Sequence, residues 1–168
     1  MNGITLNKVD DKHLRLSGID WVAASCLLEV PSILSLAKSG PAHDRLFQKV
    51  SASDPALNED WLNHVTPELG TLFAEAGEIL AKDIELFGTE TKSLKPRALT
   101  FSIAHLNAWM SALNQARLIL GAQHDVTESD MDEREFSDPD NPKQQAVLRI
   151  HVLGYLVQVF VEFVSGET

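Results

Sequence analysis

Residues 95–121, KPRALTFSIAHLNAWMSALNQARLILG, constrain the fold more than any other stretch. Pro96 suits a first helical turn, where its missing N–H costs nothing, and Gly121 follows the last periodic apolar residue, where a left-handed cap is wanted. The spacing therefore predicts one helix over about 96–120. At roughly 100° per residue, Thr100, Asn107, Ser111, Asn114 and Gln115 share one narrow face. Leu99, Phe101, Ile103, Leu106, Trp109, Met110, Leu113, Ile119 and Leu120 cover the remainder. So wide an apolar arc needs neighbours on several sides, which makes this the central buried helix of a bundle.

Two polar residues interrupt the arc. Arg117 shares its phase with Leu106, Met110 and Leu113, and His105 shares its phase with Ala112 and Ala116. A guanidinium in a core needs a carboxylate or several carbonyls. One reading is a structural ion pair or contact with the helix's last carbonyls; the other is an anion site formed with Asn114. His105 reads as a satisfied core histidine and is the third member of that candidate polar site.

The segment HLNAWMSALNQARLILGAQHDVTE (105–128) carries Trp109, Asn114, Arg117, Leu118, Leu120 and Gly121. It resembles a family of uncharacterised helical bacterial proteins, a domain of unknown function, in which a Trp is followed by Asn-x-x-Arg-Leu-x-Leu-Gly closing a helix. The resemblance implies a helical fold. Some members are encoded near the adaptor of the Clp protease, which implies a link to protein turnover; no activity comes with the family.

A chain of 168 residues fits a single domain, 1–168, with a sizeable core. Fourteen basic residues against 24 acidic ones leave a formal net charge of −10, which argues against nucleic acid and anionic membrane surfaces as partners. One cysteine, Cys26, excludes an intramolecular disulfide and reads as a buried, inert thiol. The first residues lack the basic start and apolar run of a signal peptide, so the cytoplasm is the expected location.

Ahead of the central helix, Ile4, Leu6 and Leu14, Leu16 alternate around the polar turn 10–13, which predicts a small N-terminal β-hairpin lying on the helices. Asp20 is a suitable N-cap for WVAASCLLEV, and Pro31 is expected to stop or kink that helix before a short piece ending near Gly40. Residues 39–44 read as a loop and 45–50 as a helical turn. A helix over 55–65 is followed by Thr66 and Pro67, an N-cap and first-turn pair, restarting a helix through Phe87 with Gly88 as terminator. Its inner stripe is Leu69, Leu72, Phe73, Ala76, Leu80 and Phe87; its carboxylates form a solvated face. Lys92 and Lys95 then precede the central helix and Arg97 lies just inside it, where cations oppose the dipole, and the acidic loop 125–141 is expected to compensate them. That loop is read as mobile, and Glu128, Asp130, Asp132, Glu133 and Glu135 as its partner-binding acids. Pro142 opens a last helix to about Val164; Arg149, His151, Gln158 and Glu162 interrupt its apolar run, which argues against a membrane span.

Signatures of chemistry are missing. Asp130-x-Asp132-x-Arg134 places a cation where calcium needs an oxygen, and no glycine supplies the sharp turn. The six histidines are scattered, and there is no His-x-x-x-His or Cys-x-x-Cys pair, no Gly-x-Ser-x-Gly elbow and no phosphate loop. No metal or cofactor is expected. The leading expectation is a non-enzymatic cytoplasmic protein working through contacts with a protein partner or a second copy, as a regulator or adaptor. The alternative is a small-anion or metabolite binder, or an enzyme, with an internal site at Arg117, Asn114 and His105. Whether Arg117 meets an internal carboxylate or an open polar cavity separates the two.

Overall fold

The computed structural model describes residues 3–38, 40–47, 53–87, 95–132 and 137–166. Strands β1 (Thr5–Lys8) and β2 (His13–Ile19) form the expected hairpin. Asp10 closes its turn: Oδ1 accepts the backbone N–H groups of Lys12 and His13, each at 2.8 Å. Alternation then aims Leu6, Leu14 and Leu16 into the core. Gly18 sits at φ 75°, beside a register shift between Leu16 and Ile19, and a Cβ there would stand 2.0 Å from the carbonyl oxygen of Gly3. Only glycine tolerates both demands.

Helix α1 (Trp21–Ser35) starts at Asp20, whose Oδ1 accepts the N–H of Ala23 at 2.8 Å. Pro31 does not stop it: the helix runs on to Ser35, and the short piece expected before Gly40 is a 3-10 turn, Leu36–Lys38. One backbone bond is forgone at Pro31, and burial of Leu27, Val30 and Ile33 around the proline outweighs it. Residues 40–46, read as loop and turn, are instead a helix, α2 (Gly40–Leu46), entered through Gly40 at φ 74°. Helices α3 (Pro55–His64) and α4 (Thr66–Ile84) divide near Pro67 as expected. Thr66 is already helical rather than the cap, and no side chain caps α4. The expected terminator Gly88 and the cation Lys92 lie outside the described residues.

The largest departure is at residues 96–105. Arg97–Ser102 form a strand, β3, pairing antiparallel with β2 (Leu14 with Phe101, Leu16 with Leu99) in a three-stranded sheet of order β1-β2-β3. Ile103–His105 make a 3-10 turn, and the central helix α5 spans Leu106–Gln123. Arg97 is thus a strand residue paired with Ile19, and the supposed conflict of these cations with a helix dipole does not arise. Gly121 also falls inside α5; the residue in the left-handed region is Asp125, at φ 49°.

Beyond α5 come a short helix α6 (Glu128–Asp132) and the long α7 (Pro142–Ser165), capped by Asn141 and closed by Gly166 at φ 73°. The fold is mainly α, a bundle with a small N-terminal sheet, as expected. α5 lies at its centre, touching α1, α2, α4 and α7. Phe101, Trp109 and Phe160 stack there, with ring centroids 4.7 to 6.0 Å apart, joining β3, α5 and α7. Arg149 of α7 meets Glu29 of α1 through two hydrogen bonds. By length and composition the stretches Trp21–Lys38 and Pro142–Ser165 are each apolar enough to cross a membrane, a test that core helices of bundles also pass. Here they supply Leu27, Val30, Leu153, Leu156 and Phe160 to the core.

Candidate functional site

Arg117 projects from the C-terminal half of α5 toward α7. A Cβ built on Gly154 would lie 3.2 Å from Nε and Nη2 and 3.3 Å from Cζ of Arg117, so the guanidinium rests flat against α7 where a side chain is lacking. Nη1 donates to Oδ1 of Asn114, one turn back, at 3.3 Å. Nε is buried and has no hydrogen-bond partner. Among the described residues no carboxylate lies within ion-pair distance of the group.

In place of a carboxylate there is space. Asn114, Arg117, Leu118, Asp125, Met131 and Ile150 line a cavity of about 710 Å³ between α5, α7 and the connection to α6. A Cβ on Gly121, which also borders it, would meet nothing within 4 Å. The turn at Asp125 shapes one wall and is held by the bond from Val126 N–H to the carbonyl of Gly121 at 2.9 Å. Sequence periodicity missed Asp125, because it placed the helix end at Gly121. Only the aspartate's tolerance of the left-handed region could have signalled the turn.

His105 does not join Arg117 and Asn114. Its Nδ1 lies 2.8 Å from Oδ2 of Asp83 on α4, and that oxygen also accepts the indole N–H of Trp109 at 2.8 Å. His105 is thus a satisfied histidine, though part-buried rather than in the core, with a partner, Asp83, that spacing along the chain could not reveal. His151 is exposed on α7 and borders neither this cavity nor Asp83.

Within the acidic loop, Glu128, Asp130 and Asp132 stand on α6 rather than in irregular chain. Asp130 Oδ2 accepts the backbone N–H and the hydroxyl of Thr127 at 2.7 and 2.8 Å, and Thr127 Oγ1 accepts the N–H of Asp130 at 3.2 Å. Lys143 Nζ completes the set at 3.0 Å. These bonds, those from Thr127 above all, hold the Asp130 carboxyl down at about 2 from its usual 3.8. Glu133 and Glu135 lie outside the described residues. Cys26 is buried, and burial, followed by the charge of Glu29, pushes its thiol up to about 11. It is protonated at neutral pH, a poor nucleophile and a poor ligand. Among the described residues no three His, Cys, Asp or Glu are grouped so as to hold a metal ion.

The family model that matches this sequence is DUF2017, a domain of unknown function, over residues 10–164, nearly the whole chain. The chain belongs to the DUF2017 family. The resemblance read from Trp109 to Gly121 thus reaches from the turn of the hairpin to the last turn of α7. No curated protein and no solved structure matches the chain. For this DUF2017 protein the reasons for a function lie in its own geometry. Two of the three candidate polar residues, Arg117 and Asn114, share a cavity; the third is paired with Asp83.

Proposed function

We infer that this DUF2017 chain is a non-enzymatic binding protein whose cleft between α5, α6 and α7 takes a small molecule bearing a carboxylate or phosphate, held by Arg117. One observation carries the reading: the guanidinium borders a cavity, its Nε has no hydrogen-bond partner, and among the described residues no carboxylate lies within ion-pair distance of it. A guanidinium half removed from water with only the Asn114 carbonyl as partner is costly, and an anionic oxygen in the cavity would add a charge-assisted bond. Asn114 fixes the outer edge of the guanidinium and Gly154 makes room for its face, so little side-chain freedom remains to be lost on binding. Asp125 on the same wall favours ligands that carry a cationic group beside the anion, such as an α-amino acid, over a bare dianion. Binding is preferred to catalysis because the groups best suited to chemistry are engaged: Cys26 is held as a thiol and His105 is tied to Asp83.

Thermal unfolding in the presence of acetate, inorganic phosphate and glycine tests this reading. At least one should stabilise the native chain saturably, by about 2.7 kcal/mol at a hundredfold excess over its Kd. Arg117→Gln, its fold checked by circular dichroism, should lose the effect. No stabilisation by any of the three, or equal stabilisation of Arg117→Gln, overturns it.

A second reading is contact with a protein partner or another copy of the chain, as a cytoplasmic regulator or adaptor linked to protein turnover. It is favoured by exposed apolar side chains on α3 and α4: Leu57, Leu62 and Leu72 are 46%, 60% and 59% exposed. Light scattering should detect association that Leu62→Glu abolishes, and a native chain that stays monomeric at all concentrations would count against self-association there.

A further inference from the structure

The cleft beside Arg117 holds a second charged group, and the distance between the two bears on what fits. Asn114, Arg117, Leu118, Gly121 and Ala122 line it at the spacing of one helical face, and Asp125 continues that stripe just past the end of α5. Among the described residues no hydrogen bond or ion pair engages the Asp125 carboxylate. Asp130 nearby in the chain is, by contrast, already taken by Thr127 and Lys143.

Arg117 and Asp125 are eight residues apart, which at about 1.5 Å of rise each puts about 12 Å of helix axis between them. The bond from Arg117 Nη1 to Asn114 turns the guanidinium back along α5, away from Asp125, so the two side chains do not close the gap themselves. Leu118 and Ala122 lie between them along α5, and Val126, Met131 and Ile150 complete apolar walls. The cleft thus offers a cation at one end, an anion at the other and an apolar trough between.

We propose, resting on the reading of Arg117 as an anion site, that the cleft selects basic α-amino acids such as lysine, with the α-carboxylate on Arg117, the methylene chain along Leu118, Ala122 and Met131, and the terminal cation on Asp125. An extended lysine measures about 7 Å from carboxyl carbon to terminal nitrogen, and a charge-assisted contact of about 2.8 Å at each end gives a reach of about 13 Å. The α-ammonium of a short amino acid feels Asp125 only from a distance; a side-chain cation reaches it. The apolar walls cover the methylenes and the two charges fix the orientation, the usual division of labour in small-molecule sites. The net charge of −10 also draws a ligand of net positive charge in preference to a neutral zwitterion.

Lysine, norleucine and 2,3-diaminopropionate are the probes, and amide chemical shifts of the native chain are the readout. Norleucine keeps the carboxylate and the chain but lacks the terminal cation; 2,3-diaminopropionate keeps both charged ends on a side chain about 4 Å shorter. Lysine should bind more tightly than either by about two- to fivefold, the range of one solvent-screened ion pair. Asp125→Asn should erase the advantage over norleucine and leave norleucine binding unchanged. Asparagine tolerates a φ of 49° as aspartate does, so this variant keeps the fold. Lysine binding no tighter than norleucine or 2,3-diaminopropionate, or an advantage over norleucine that survives Asp125→Asn, overturns the assignment and leaves the anion site standing. If none of the three binds while acetate or phosphate does, the assignment again falls alone; if no anion binds at all, it falls together with the anion site.

Discussion

Trp109 joins α5 to β3, α7 and α4. Its ring is fully buried, stacked on Phe101 at 4.7 Å and near Phe160 at 5.7 Å, and its N–H reaches the Asp83 carboxylate. Truncation to alanine removes the apolar burial, leaves a cavity between sheet, α5 and α7, and deprives Asp83 of one of its two donors. Trp109→Ala should cost about 3–5 kcal/mol in chemical denaturation; a loss below about 1 kcal/mol would contradict this placement. Phase along a helix was enough to put Trp109 at the centre. It could not name Asp83, 26 residues earlier, nor show that the carboxylate takes His105 away from Arg117. A buried polar group advertises that it has a partner, but pairing across elements depends on how two helices dock.

Among elements, local patterns were read best where one physical signal stood alone. The hairpin followed from alternation about Asp10, the start of α1 from Asp20, and the start of α7 from Pro142; the structure adds the cap Asn141, whose Oδ1 accepts the N–H groups of Lys143 and Gln144 at 2.9 and 3.2 Å. Residues 97–102 misled because Leu99 and Phe101 fit both periods: two apolar residues two apart satisfy a strand, and they also fall within the broad apolar arc of a helix. What decides between them is the open edge of β2, a non-local demand that helix propensity cannot offset. The same limit governs the acidic loop. Its net charge suggested disorder, yet at its start Thr127 caps the first turn of α6 through Asp130, and Lys143 pairs that carboxylate with α7. Because the folded carboxyl lies near 2, below its usual 3.8, this contribution is intact above about pH 4 and is lost as pH falls toward 2. Acid titration followed by NMR should show the Thr127 amide shifting with a midpoint near 2, and Asp130→Asn should remove that step. A Thr127 midpoint near 3.8 would mean the tie does not exist in solution.

At the scale of the whole molecule, stability is unevenly spread. α5 and α7 bury most of their apolar residues against one another and their neighbours, whereas α3 buries none of its residues completely and packs on α4. Local opening costs what is buried locally, so native-state hydrogen exchange should find α3 amides opening at a small fraction of the global free energy and α5 and α7 amides opening only with global unfolding. Equal protection of α3 and α5 would show that α3 is covered by something other than α4. The same measurement separates the two functional readings, since a bound molecule slows exchange where it sits. An anion at Arg117 would protect the end of α5 and the turn at Asp125, while a partner seated on Leu57 and Leu62 would protect α3, where the native chain alone has little to lose by opening.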